Sequence, residues 1–179
     1  QRCSALRVLF VQDDIADKVI EMLKGAMKLL VVGDPKDLST DVGPVIDKHA
    51  QASLEKHVNA IKQQGELIYE VDISSLKTQG FYFSPVAVEI DSISMLDKEN
   101  FGPILHVCPY EKSDLETVIA DINATGYGLT LGIHSRIDEV ISYIASKVNA
   151  GNCYINRNMT GAVVGLQPFG GEGLSGTGP

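Results

Sequence analysis

Short apolar runs with two-residue alternation are interleaved with longer segments whose apolar residues recur every three or four positions. That interleaving constrains the fold more than any other feature of the chain. A two-residue period buries one face of a strand, and a 3.6-residue period buries one stripe of a helix. The order of the runs therefore predicts the order of the elements. Strands are expected at 6–12, 66–71, 83–90, 103–110, 129–134 and 151–156. Helical spacing links Ile15, Val19, Leu23, Met27 and Leu30. It recurs over 47–64, where Ala50, Leu54, Val58 and Ile61 share a side. A third helix should start at Ser113 and turn Leu115, Val118, Ile119 and Ile122 inward, with a fourth over 137–148.

Punctuation residues sharpen these limits. Asp13 or Asp14 is placed to cap the first helix, and Gly33-Asp34-Pro35 to end it before a loop over 34–44. Gly65 should stop the second helix. Ser113 followed by Glu116 has the spacing of a capping box. Pro85 lacks an N–H, which puts the strand over 83–90 near an edge or a bulge. After Arg157 the chain is glycine-rich and irregular. Strands alternating with helices predict an α/β fold with a largely parallel sheet flanked by helices. With no internal repeat or low-complexity tract, residues 1–179 read as one domain.

Charge narrows the classes of partner. The net charge of -8 argues against nucleic acid, since phosphate binding needs clustered Lys and Arg. No apolar run approaches the roughly 18 residues of a membrane span, and no basic leader precedes a hydrophobic stretch. The three cysteines, Cys3, Cys108 and Cys153, show no CxxC spacing, so neither a zinc site nor a disulfide framework is expected. A reducing cytoplasm is the expected setting. The start at Gln1 suggests a piece of a longer protein.

Three segments carry candidate chemistry. Gln1-Arg2-Cys3-Ser4-Ala5 precedes the first strand, although a lone cysteine is ordinarily a small apolar residue. Lys98-Glu99-Asn100-Phe101-Gly102-Pro103 leads into the apolar run over 103–110 and could be only a turn with an exposed acid. The loop over 161–171, with Gly161, Ala162, Pro168 and Phe169, could cradle an anion through its amides or be a plain surface loop.

In this order and at these separations the three segments resemble the aldehyde dehydrogenase superfamily over the whole chain. The stretch from Asn156-Arg157-Asn158-Met159 to the end is similar to its proline-utilisation branch. The resemblance implies an aldehyde dehydrogenase-like catalytic domain that oxidises L-glutamate γ-semialdehyde, formed from 1-pyrroline-5-carboxylate, to glutamate with NAD. It implies a separate FAD-dependent proline dehydrogenase module in the parent protein. Cys3 would be the nucleophile, its backbone N–H forming part of an oxyanion hole. Glu99 would accept hydrogen bonds from the nicotinamide ribose, and Phe101 would pack beside the nicotinamide. Ser4 and the amides of Gly161 and Ala162 would hold the substrate's own carboxylate, with Phe169 along its aliphatic part. Ala162 stands where some relatives have serine, which removes a hydroxyl contact. The family's general base, its oxyanion asparagine and its NAD-binding Rossmann domain are expected upstream of Gln1. The isolated chain is therefore expected to be inactive, and the family likeness suggests a homodimer.

Other features are set aside. Residues 171–176 spell GxGxxG, but the dinucleotide fingerprint needs a preceding strand and a following helix. His49, His57, His106 and His134 share no metal spacing, and His49 and His57 are expected on a solvated helix face. Cys108 and Cys153 lie in apolar strands and are expected in the core. Competing functions are a dehydrogenase for another aldehyde, a cysteine hydrolase or acyl transferase, which would leave Glu99 and Phe101 unexplained, and a non-catalytic assembly domain.

Overall fold

The computed structural model describes residues 1–76, 80–160 and 162–178. The chain forms two compact units: Gln1 with Arg7–Glu111, and Arg2–Leu6 with Lys112–Pro179.

The first unit is built on β1 (Val8–Gln12), α1 (Asp13–Met27), α2 (Lys48–Ile61), β2 (Glu66–Glu70), β3 (Val86–Glu89) and β4 (Ile104–Tyr110). The strands form one sheet in the order β1-β4-β3-β2. β4 runs parallel to both β1 and β3, and only β2 is antiparallel. The expected α/β class with a largely parallel sheet is what this unit adopts. Alternation along the strands splits the core between the two faces. Val86, Val88, Ile104 and Cys108 pack with Leu54, Val58 and Ile61 of α2. Ala87 and Val107 point the other way, among Ala16 and Met27 of α1. Burial on both faces explains why β3 and β4 read as near-continuous apolar runs.

The helix ends follow local chemistry only in part. Asp47 caps α2, its carboxylate accepting the Ala50 N–H at 2.7 Å. Neither Asp13 nor Asp14 caps α1. The cap position is Gln12, without a side-chain bond, and both acids lie inside the first turn. There they oppose the positive end of the helix dipole. α1 also stops at Met27, well before Gly33. Pro85 does not mark an edge, because β3 is an inner strand. Pro85 precedes β3, and its carbonyl accepts the Val71 N–H at 3.0 Å, so no ladder donor is lost. The irregularity falls on the partner strand, between Leu67 and Tyr69.

The second unit holds α3 (Leu115–Ala124), β5 (Tyr127–Gly128), β6 (Thr130–Ile133), α4 (Asp138–Lys147), β7 (Asn152–Ile155) and β8 (Glu172–Gly173). β6 pairs parallel with β7, and β5 pairs antiparallel with β8. The capping box at Ser113 does not form. Ser113 lies in a 3-10 turn, and its hydroxyl donates to Asp114. Glu116 instead accepts the hydroxyl of Tyr143, a tertiary bond from α4. Cys153 is not core: β7 buries Asn152 and Tyr154 and exposes Cys153 and Ile155. The GxGxxG stretch forms β8 and a turn, and no helix follows it among the described residues.

Candidate active site

In the first unit the site is organised by Arg7, the residue before β1. Parallel pairing sets Val8 opposite His106, so Arg7 comes beside the chain entering β4. Its Nη1 donates to the Gly102 carbonyl at 2.9 Å. The guanidinium carbon stands 4.6 Å from the Phe101 ring centre, a cation–π contact. Nη2 lies 3.7 Å from the Glu99 carboxylate. That ion pair is loose and solvent-facing and contributes little stability. Its consequence is geometric: Glu99 and Phe101 gather on one rigid planar cation. The carboxylate stays 40% exposed and the ring 47%, so both can meet a ligand.

Behind Arg7 lies a histidine pair, one ring buried and the other half-buried. His106 of β4 is 3% exposed, and its Nδ1 is 3.1 Å from the Arg7 carbonyl oxygen. Its Nε2 is 2.9 Å from Nε2 of His57 on α2. The carbonyl can only accept, so His106 carries its proton on Nδ1, and His57 donates from Nε2. In this pairing the His106 ring is neutral, its Nε2 accepting from His57. Burial pushes His106 down to about 4, opposed by its bond to the Arg7 carbonyl and reinforced by the charges of His57 and Arg7. Burial also lowers His57, against Asp97 and with Lys98. His57 is thus half-buried and bonded, not on the solvated face expected for it; His49 is exposed.

The second unit carries the remaining candidates. Cys3 is exposed in a turn closed by Ala5 N–H to Arg2 carbonyl at 3.0 Å. Ser4 is buried. Ala162 is half-buried and Phe169 exposed, while Gly161 lies outside the described residues. Of the other cysteines, Cys108 is core. Cys153 is exposed as a residue, but desolvation of its sulfur pushes the thiol up, away from the nucleophilic thiolate. Three bonds hold the loop bearing Phe169. Asn152 donates to the Pro168 carbonyl at 3.0 Å and accepts the Gly170 N–H at 3.1 Å. Gln167 donates to the Tyr154 hydroxyl at 2.9 Å. Among the described residues no group of three or more His, Cys, Asp or Glu could hold a metal. No helix among them is long and apolar enough to cross a membrane.

The family model for the aldehyde dehydrogenase family matches residues 1–179. The chain belongs to the aldehyde dehydrogenase family. It is 50% identical to the bifunctional protein PutA of Escherichia coli (strain K12), over 100% of this chain and 14% of that protein. A crystal structure of Bradyrhizobium japonicum proline utilization A superposes with a TM-score of 0.94 at 52% identity, covering 100% of this chain and 18% of the other. A 1-pyrroline-5-carboxylate dehydrogenase from Thermus with bound NAD gives 0.87 at 32% identity, covering 99% of this chain and 34% of the other. The chain thus spans about a seventh of the length of its PutA relatives, at 14%. As an aldehyde dehydrogenase chain it contains three features that reading by residue type passes over: Arg7, Asn152 and the His57–His106 pair. The first two had a legible trace, a lone cation at a strand start and a polar residue on one parity of a strand. The pair had none, because 49 residues separate its members.

Proposed function

We propose that this chain is the cysteine-bearing catalytic part of a longer NAD-dependent dehydrogenase. That enzyme oxidises L-glutamate γ-semialdehyde to L-glutamate in proline catabolism. The observation that carries the reading is the joint hold of Glu99 and Phe101 on Arg7 in a chain similar throughout to PutA and 1-pyrroline-5-carboxylate dehydrogenases.

The residues fit a dinucleotide's nicotinamide end. An ionised carboxylate is acceptor-only and suits a ribose diol, and an aromatic face beside it suits a planar ring. Glu99 would hold the ribose hydroxyls, and Phe101 would pack beside the nicotinamide. NAD, when bound, supplies the hydride acceptor.

Cys3 attacks the aldehyde carbon as its thiolate, forming a thiohemiacetal. The same sulfur carries the oxidised acyl group as a thioester until water releases glutamate. The Cys3 N–H donates to the developing oxyanion. Ser4 and the amides of Gly161 and Ala162 take the distal carboxylate, and Phe169 lies along the methylenes. The FAD-dependent proline dehydrogenase activity belongs to another module of the parent protein.

The test is NADH formation by the full-length parent enzyme, wild type and Cys3→Ser, with glutamate semialdehyde and with propanal, which has no carboxylate. A preference for the semialdehyde and a dead Cys3→Ser variant are expected. Equal use of propanal would remove the substrate assignment, and an active Cys3→Ser variant would remove the nucleophile.

A further inference from the structure

The inward face of β7 grips the loop around Phe169 with side chains. Asn152 is buried, and its carboxamide reaches both neighbours of Phe169, Pro168 through the carbonyl and Gly170 through the N–H. A carboxamide donates and accepts within one plane, as a peptide unit does. Asn152 therefore pairs with the loop as an added piece of strand would. Tyr154, next on the same face, takes Gln167. Gly151 lets the two backbones touch: a Cβ there would strike the Gly170 carbonyl oxygen and stand 2.9 Å from its carbon. Phe169 itself is 38% exposed, with the main chain held on either side of it.

We propose that Asn152 is a specificity-determining positioning residue, which fixes Phe169 through Pro168 and Gly170 and so sets the aldehyde tail that the loop accepts. The inference rests on the reading of Phe169 as a substrate-packing residue. The bonds of the Asn152 carboxamide go to the main chain on either side of Phe169, so Asn152 acts through the loop. Its effect should appear in discrimination between aldehydes and not in the chemical step.

The experiment uses the full-length parent enzyme as wild type, Asn152→Asp, Asn152→Ala and Tyr154→Phe. Asn152→Asp keeps the shape and the acceptor for Gly170, but sets a second acceptor against the Pro168 carbonyl. KM and kcat are measured for glutamate semialdehyde and propanal, with KM for NAD and amide hydrogen exchange across residues 167–171. Losing one satisfied buried bond should raise the semialdehyde KM about tenfold in Asn152→Asp. The propanal KM should move far less and the NAD KM should hold, and exchange at Gly170 should quicken in Asn152→Ala, which removes the acceptor of its N–H. Tyr154→Phe, a gentler change, should shift the same quantities in the same direction by less. If Asn152→Asp does not fold, Asn152→Ala and Tyr154→Phe are read in the same way. A wild type that does not prefer the semialdehyde overturns the substrate reading. A semialdehyde preference that survives Asn152→Asp, or exchange at Gly170 unchanged in Asn152→Ala, overturns the role of Asn152. Equal losses on both aldehydes would show a structural role only and overturn it too.

Discussion

Acidification should destabilise this chain through His106. The ring is 3% exposed and is pushed down from 6.5 to about 4. A histidine with a depressed value binds its proton more readily when unfolded, so stability falls as pH drops. The contribution is complete above 6.5, declines between 6.5 and about 4, and is constant below that. With those two values, linkage gives a loss of about 2 kcal/mol at pH 5 and about 3 kcal/mol in the acid limit. The groups facing the pair explain the sign. The Arg7 carbonyl already accepts the Nδ1 proton, and a second proton on Nε2 would meet the donating N–H of His57. Asp97 partly relieves His57, but Lys98 and Arg7 oppose any added charge. The assay is urea unfolding followed by far-UV circular dichroism between pH 5 and 8, for wild type and His106→Asn. The asparagine amide can still donate to the Arg7 carbonyl and has nothing to titrate. Between pH 7 and 5 the wild type should lose about 2 kcal/mol more than the variant. Parallel profiles, within about 0.5 kcal/mol, would refute the argument that the buried neutral His106 ring underlies the acid sensitivity.

Two further substitutions probe the frame beneath the site. Gly102→Ala places a methyl 2.6 Å from Leu54 Cδ2 and 3.0 Å from its Cγ, in a core where Leu54 is 2% exposed. It should cost about 1–3 kcal/mol by overpacking. In a Leu54→Ala background, itself about 2–5 kcal/mol destabilised, most of the added cost should vanish in a urea double-mutant cycle; simple additivity would contradict the clash. Asp47→Ala removes the α2 cap bond to Ala50 and should lower stability by about 1 kcal/mol, read as a shift of the urea midpoint.

Local pattern made much of the frame legible. The α2 face of Leu54, Val58 and Ile61 and the apolar run of β4 announce themselves, because burial on one or both faces requires those periods. Asp47 acts as a cap because its partner is three residues away on the same chain. Ser113 and Glu116 have equally good spacing, yet the Tyr143 hydroxyl takes Glu116 and the box is lost. The phase of β7 was similarly hidden. Alternation shows that Asn152 and Tyr154 share a face, but the loop they bind decides that this face is inward and that Cys153 points out.

The sequence by itself determined the element types, the α/β class and the three family segments, including Cys3, Glu99 and Phe101. These depend on residue type and short spacing, which the linear order contains. Tertiary structure alone decided that β1 lies beside β4 and not beside β2, which brings Arg7 to Glu99, Phe101 and Gly102. It also joined His57 to His106 and closed Asn152 around Phe169. The physical reason is the same in each case. A parallel ladder, a histidine ring pair and a side-chain clamp all join residues with nothing in common along the chain, and their partners are selected by packing and by the need to satisfy buried polar groups.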